Sequence, residues 1–247
     1  MNAPLSPLAA RLVAARRSAP IASLDEALVP KDHAAAMAVQ AEVARELGET
    51  VRGWKVGVGG DGVPFAAPLY ASALVASPAT LMIRDYVLIE MEIAVRLARD
   101  LPPGEHSRSA ILDALDGVMA GIEVIRGRAG EPPATPFLAF LADNGANLAY
   151  VTGAQAPTFR GLDLTSLRCR LAIGGSVAHE AVGGHPQGDP IEPIRRYLAH
   201  ANDRLGGLRA GHVVTTGSLN KPVRVDAAAP VEVTIEGLGT ATLQLMR

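Results

Sequence analysis

Three glutamates, Glu90, Glu92 and Glu123, carry the strongest chemical signal in this 247-residue chain. In the segment 87–97, Ile89, Met91, Ile93, Val95 and Leu97 alternate with Glu90, Glu92, Ala94 and Arg96, the period of a strand. Side chains two residues apart on one strand face start about 7 Å apart at Cα, so Glu90 and Glu92 can converge on one point. Glu123 interrupts the apolar run 118–125, and a carboxylate is rarely buried without a partner. Three oxygen donors, with no cysteine and no paired histidines nearby, suit a hard ion such as Mg²⁺ or Mn²⁺ with positions left for water and substrate. Zinc would normally recruit nitrogen or sulfur. A plainer reading fits the same spacing: a solvated strand face, with Glu123 paired to Arg126 or Arg128.

Lys55 is the next candidate. The chain has only three lysines, Lys31, Lys55 and Lys221, against twenty arginines, so arginine serves as its general-purpose cation. In Gly53-Trp54-Lys55-Val56-Gly57-Val58 the lysine shares a strand face with two glycines, which would clear space for a ligand. An ammonium there can hold a carboxylate or shuttle a proton; the alternative is a lysine snorkelling from a strand edge. Asp143, Asn144 and Asn147 form a polar cluster fit either to orient substrate or to cap and turn the chain. Ser218, where a strand runs into a glycine turn, offers a hydroxyl or backbone N–H to a substrate carboxylate, or is simply part of the turn.

These residues need a frame. The Ala-rich segment 32–47 lacks Gly and Pro, so it predicts a helix capped by Asp32. Leu5, Leu8 and Leu12 recur at helical spacing ahead of it. Arg11, Arg16 and Arg17 lend this start a faint transit-peptide character, but a docked helix suits the leucines better. Beyond Gly53, short β-branched runs alternate with Gly, Pro and Asp clusters, with helical stretches expected near 110–119 and 191–205. Hairpins are expected for 167–182 around Gly174-Gly175 and for 231–245 around Gly237-Leu238-Gly239. The class is α+β, with an antiparallel, sandwich-like or rolled sheet in the second half.

Composition narrows the function classes. A net charge of -2 without long runs of one sign recommends neither nucleic acid nor an anionic membrane as partner. No apolar stretch approaches the roughly 20 residues of a membrane span. The single cysteine, Cys169, excludes an internal disulfide and a cysteine zinc site, and the cytoplasm is the expected compartment.

In order along the chain, Ala38-Val39-Gln40, the Gly53–Gly57 block, Ile89–Ala94, Gly121–Ile125, Ala142–Asn147, His185-Pro186 leading into a helix that ends near Ala201-Asn202, and Thr216–Pro222 resemble the 2-oxopent-4-enoate hydratase and 4-oxalocrotonate decarboxylase family of the fumarylacetoacetate hydrolase superfamily. The resemblance spans about residues 32–245. It implies an N-terminal helical region over 1–50 and a mixed β-roll catalytic domain over 51–247. It also implies Glu90, Glu92 and Glu123 as ligands of Mg²⁺ or Mn²⁺, with Lys55 beside a chelated small 2-oxo acid. The implied activity is hydration of 2-hydroxy-2,4-dienoates (2-oxo-4-enoates) from aromatic meta-cleavage, in a homo-oligomer that in some relatives pairs with a related lyase.

One departure is plain. Where many hydratases carry an acid in the loop after the lysine strand, this chain's loop reads Pro64-Phe65-Ala66-Ala67-Pro68-Leu69-Tyr70, and the nearest acid, Asp61, lies in a Gly-rich turn. Decarboxylation of a 2-oxo-3-enedioate, or a non-catalytic partner role, are therefore the alternatives. Arg126, where relatives often carry an acid, suggests a more basic pocket rim suited to a dicarboxylate.

Overall fold

The structure, a computed structural model, describes residues 4–132, 134–156, 158–200 and 205–247. Two helices open the chain. In α1 (Pro7–Arg17) the leucines at 8 and 12 are buried, and in α2 (His33–Leu47) the Asp32 carboxylate accepts from the Ala35 amide at 2.7 Å. Gly48, at φ 66°, ends α2 in the left-handed conformation that glycine adopts at least cost. Gln40 projects from α2 and donates to the carbonyls of Ala66 (3.3 Å) and Leu141 (2.6 Å), tying the helix to the site-bearing part of the chain.

Beyond them the described residues form two sheets and three short α-helices. The strands are β1 (Val51–Val58), β2 (Pro64–Tyr70), β3 (Leu74–Ala76), β4 (Ala79–Met82), β5 (Val87–Leu97), β6 (Leu115–Ile125), β7 (Asn147–Thr152), β8 (Arg168–Ile173), β9 (Ser176–Val182), β10 (Val213–Ser218), β11 (Val223–Val225), β12 (Ala229–Ile235) and β13 (Gly239–Met246). The larger sheet runs β2-β1-β10-β5-β6-β7-β3, with β11 also on β5; the smaller runs β4-β13-β12-β8-β9. Pairing is mixed: β1–β10, β3–β7 and β4–β13 are parallel and the other pairs antiparallel. Between the two sheets lies one apolar core, to which β5 contributes Ile89, Met91, Ile93, Val95 and Leu97, and the smaller sheet Leu171, Val233 and Leu243. Leu8, Leu12, Met37 and Val43 of the two helices join the same cluster.

Both hairpins form as expected, β8–β9 across Gly174-Gly175 and β12–β13 across the 236–238 turn. Two expectations need correction. The 110–119 helix is only α3 (Arg108–Leu112), because β6 begins at Leu115. That strand is buried on both faces between β5 and β7, so its run lacks the alternation that marks a half-buried strand. The 64–70 segment is not a loop but the wholly buried strand β2, paired along β1 with Ala67 opposite Lys55. The later helix, α5 (Glu192–His200), follows α4 (Phe137–Ala142) in the chain. Its expected end near Ala201 and Asn202 lies outside the described residues.

Candidate metal centre and active site

Strand register assembles the site. Glu90 is opposite Glu123, which is opposite Tyr150; Glu92 is opposite Gly121; Lys55 is opposite Thr215, which is opposite Ala94. Directly opposed residues project to the same sheet face, so all of these leave the sheet on the side away from the main core. Asn220, in the link from β10 to β11, grips β5 around Glu90: its amide oxygen accepts from the Met91 N–H at 2.7 Å and its amide nitrogen donates to the Ile89 carbonyl at 3.3 Å.

One carboxylate oxygen from each of Glu90, Glu92 and Glu123 lies within 4.8 Å of the others. One hard cation with bonds of about 2.1 Å spans such a set after small side-chain rotations. Lys55 Nζ lies 2.7 Å from Glu123 Oε2 and donates to the Gly145 carbonyl at 3.4 Å. From the other side, Asn147 Nδ2 donates to Glu123 Oε1 at 3.1 Å. Glu92 is fully buried, and neither of its oxygens has a hydrogen-bond partner among the described residues. The hydroxyls of Thr215 and Tyr150 lie close enough to influence it, yet neither makes a hydrogen bond of ordinary geometry.

The electrostatics state the same deficit. Burial raises the Glu90 carboxyl to about 7, Lys55 opposing and Glu123 adding to the rise. Glu92 is pushed well above the usual carboxylate range, first by burial and then by the charge of Glu123. Burial pulls the Lys55 ammonium down, but Glu123, Glu90 and Glu92 outweigh it and hold it above its usual range. Two carboxyls, Glu90 and Glu92, that hold their protons more tightly than usual beside Glu123 and a single ammonium form a site short of positive charge. The orphaned oxygens of Glu92 and the all-oxygen donor set fit a divalent hard ion.

The centre opens on a cavity of about 270 Å³. Lys55 and Glu90 supply its charge; apart from Thr135 the other walls are apolar, chiefly Leu88, Ile125, Phe137 and Phe140. The Lys55 ammonium lies 5.4 Å from the Phe140 ring centroid.

The remaining sequence candidates fall elsewhere. Asp143 accepts from the backbone amides of Arg128 and Ala129 and pairs with the Arg128 guanidinium at 3.4 Å, so its carboxylate serves a buried ion pair. Asn144 opens a left-handed turn with Gly145 and Ala146, at φ 61°, 58° and 56°. Such backbone costs roughly 1–2 kcal/mol per non-glycine residue, and here it aims the Gly145 carbonyl at Lys55. Ser218 Oγ donates to the Asn220 carbonyl at 2.6 Å, the turn role. None of Asp143, Asn144 and Ser218 lines the cavity.

His185 meets the Thr216 carbonyl at 2.7 Å through Nε2 and accepts from the Gln187 amide; burial lowers its pKa, so it is a neutral packing group. Asp61 pairs with His33 at the surface. The glycines flanking Lys55 make room for protein and not for ligand: a Cβ at Gly53 would lie 2.2 Å from the Val213 carbonyl, and one at Gly57 2.7 Å from the Phe65 ring. Arg126 pairs with Asp85 and does not line the cavity, so the expected basic rim is not there.

Sequence reasoning missed Thr215, Tyr150 and Asn220. A signal for Tyr150 existed in Gly121, where a Cβ would lie 2.0 Å from the tyrosine hydroxyl. A glycine two residues from a buried acid marks space that another side chain occupies.

Residues 14–246 match the family described as fumarylacetoacetate (FAA) hydrolase C-terminal. The chain belongs to this family. It is 31% identical to a 2-keto-4-pentenoate hydratase of Burkholderia vietnamiensis (strain G4 / LMG 22486), across 96% of this chain and 95% of that one. A 2-keto-4-pentenoate hydratase of Paraburkholderia phymatum (strain DSM 17167 / CIP 108236 / LMG 21445 / STM815) is 32% identical across 94% of each. Among solved structures, 4-oxalocrotonate decarboxylase from Pseudomonas putida G7, complexed with magnesium and adipate, superposes with a TM-score of 0.85 over 99% of this chain and 100% of that one, at 21% identity. That likeness establishes the family's α+β fold with its mixed, curled sheets.

Proposed function

We propose that this protein is a divalent-metal-dependent hydro-lyase that hydrates 2-hydroxy-2,4-dienoates with a short apolar tail. The observation that carries the reading is the cavity. It joins three convergent carboxylates and one ammonium to walls that are otherwise almost wholly apolar. A 2-oxo-3-enedioate would bring a second carboxylate to those walls, where among the described residues no second cation lines the cavity. An unpaired buried charge is costly, so decarboxylation is the second reading. The hydratase names of the relatives similar over nearly the whole chain support the same choice.

Glu90, Glu92 and Glu123 would hold Mg²⁺ or Mn²⁺. That ion supplies a Lewis acid for the 2-oxo oxygen and carboxylate of the substrate. Lys55 holds Glu123 in place and offsets negative charge as the dienolate forms. Phe137, Phe140 and Leu88 exclude water from the tail and orient it. Apart from the ligand Glu90, Lys55 is the titratable side chain on the cavity wall among the described residues, and proton movement at the distal carbon is assigned to it. Residues 1–50 act as a helical buttress of the catalytic part, 51–247.

The test follows the ultraviolet band of an authentic 2-hydroxydienoate with Mg²⁺ present. The band decays with the wild-type protein and persists with Glu90→Gln. A stable band in the wild type defeats the hydratase reading, and labelled carbon dioxide released from a 2-oxo-3-enedioate would replace it with the decarboxylase.

A further inference from the structure

A second and larger cavity, of about 440 Å³, lies between the end of α1, the ends of α2 and β2, and the segment 82–87 that enters β5. It shares no lining residue with the catalytic cavity. Five arginines line it, Arg16, Arg17, Arg84, Arg126 and Arg128, against two carboxylates, Glu49 and Asp85. Asp85 is already paired with Arg126, and Glu49 accepts from the Ser72 hydroxyl at 2.6 Å. Among the described residues, no carboxylate pairs with Arg16, Arg17 or Arg84.

Among the described residues, two polar groups on this wall are buried without partners. Arg16 Nε has no hydrogen-bond acceptor, although its guanidinium carbon sits 5.2 Å from the centroid of the Tyr70 ring. The Tyr70 hydroxyl, on a side chain only 1% exposed, has neither donor nor acceptor. A buried polar atom without a partner is costly, and here an arginine nitrogen and a phenol facing one cavity are both left so. Arg128, 5% exposed, completes the wall from behind. Burial lowers its pKa to about 10, Asp143 opposing and Arg16 adding to the fall. Burial pushes the Tyr70 phenol up to about 12, so it stays a neutral O–H donor. Arg16 Nε and the Tyr70 hydroxyl lack a partner with acceptor oxygens and negative charge, whereas Arg128 is already engaged by Asp143 and two carbonyls.

We propose that this cavity is a second ligand site, which binds a small oxyanion, phosphate or carboxylate, between Arg16 and Tyr70, with Arg128 behind them. Arginine provides the paired N–H donors that such anions take in bidentate fashion, the tyrosine hydroxyl adds a third direction, and Arg84 at the rim adds charge. The site is independent of the hydratase reading, because its residues belong to the other cavity.

Calorimetric titration of the magnesium-loaded protein with inorganic phosphate, and separately with succinate, tests it. One saturable site is expected, at least about tenfold weaker in Arg16→Gln and about three- to tenfold weaker in Tyr70→Phe, the size of a lost charge-assisted or neutral hydrogen bond. Tyr70→Phe removes only an unpartnered hydroxyl and should fold like the wild type. Arg11→Gln, an exposed change on the same helix outside the cavity, should leave affinity unchanged. The tighter of the two probes assigns the anion as phosphate or carboxylate. Equal affinities in wild type and Arg16→Gln overturn the proposal. So does a fall in oligomer mass on Arg16→Gln in sedimentation, since a second copy of the chain would then be what fills the cavity.

Discussion

Arg128 with Asp143, and Lys55 with Glu90, Glu92 and Glu123, are two buried clusters of charge joined through the turn at 143–147. The first is matched: Asp143 faces one guanidinium and accepts from two backbone amides, and Arg128 also donates to the carbonyls of Arg126 and Asn147. The second is mismatched, with three carboxyls around one ammonium and both Glu92 oxygens unpartnered. A fold can hold a complete ion pair for its own sake, but an incomplete one is tolerated where a ligand completes it. The unmatched cluster is therefore the place for chemistry, and the matched one its foundation.

The sharpest break between the two comes from neutralising one acid in each. Glu92→Gln is expected to lower turnover at least about a hundredfold, beyond the 10–100-fold typical of groups that only support a metal ligand. In chelator it should leave the fold as stable or more so, since it removes one of three repelling carboxyls. Asp143→Asn should do the reverse, destabilising the fold by roughly 3–5 kcal/mol with or without metal because Arg128 loses its counter-charge. Denaturant unfolding in chelator and in Mg²⁺, with steady-state kinetics, reads both; destabilisation of the metal-free protein by Glu92→Gln would remove the distinction.

A pH series tests the mismatch next. The Glu90 carboxyl rises from the usual 4.5 to about 7 in the folded protein, so the folded state binds this proton more tightly than the unfolded one. Its contribution to the stability of the metal-free protein is complete below pH 4.5 and is lost as pH climbs through about 7. Metal has to displace that proton, so the thermal shift produced by Mg²⁺ should grow between pH 5 and pH 8. The difference between wild type and Glu90→Gln isolates the group, and an Mg²⁺ shift independent of pH in the wild type would contradict the assignment.

The smallest effects separate two hydroxyls of β10. Thr215→Val removes an unpartnered hydroxyl beside Glu92, and turnover should fall about tenfold with stability changed by less than about 1 kcal/mol. Ser218→Ala breaks the bond to Asn220 and should cost about 1 kcal/mol of stability while KM stays the same. Exchange of these outcomes would return the substrate role to Ser218.

Much of this was legible in local pattern. The alternation in 87–97 gave the face of β5, Asp32 gave the start of α2, and paired glycines gave both hairpins. β6 was less legible because a central strand buried on both faces has no polar side to show its period. The glycines around Lys55 were misread because the atoms that fill their space, the Val213 carbonyl and the Phe65 ring, are brought there by strand pairing.

Residue types and spacing by themselves determined that Glu90 and Glu92 share a strand face, that Glu123 is an acid in apolar surroundings, and that Lys55 is a rare lysine among arginines. Only the tertiary structure decided what surrounds them. Parallel pairing of β1 with β10 sets Thr215 beside Lys55 across 160 residues of chain. β7 lays Tyr150 over Gly121, and a left-handed turn sends Asp143 to Arg128 instead of to substrate. The physical reason is range: a strand's face follows from local sterics and a two-residue period, whereas a buried charge takes its role from whatever distant partners the fold packs against it.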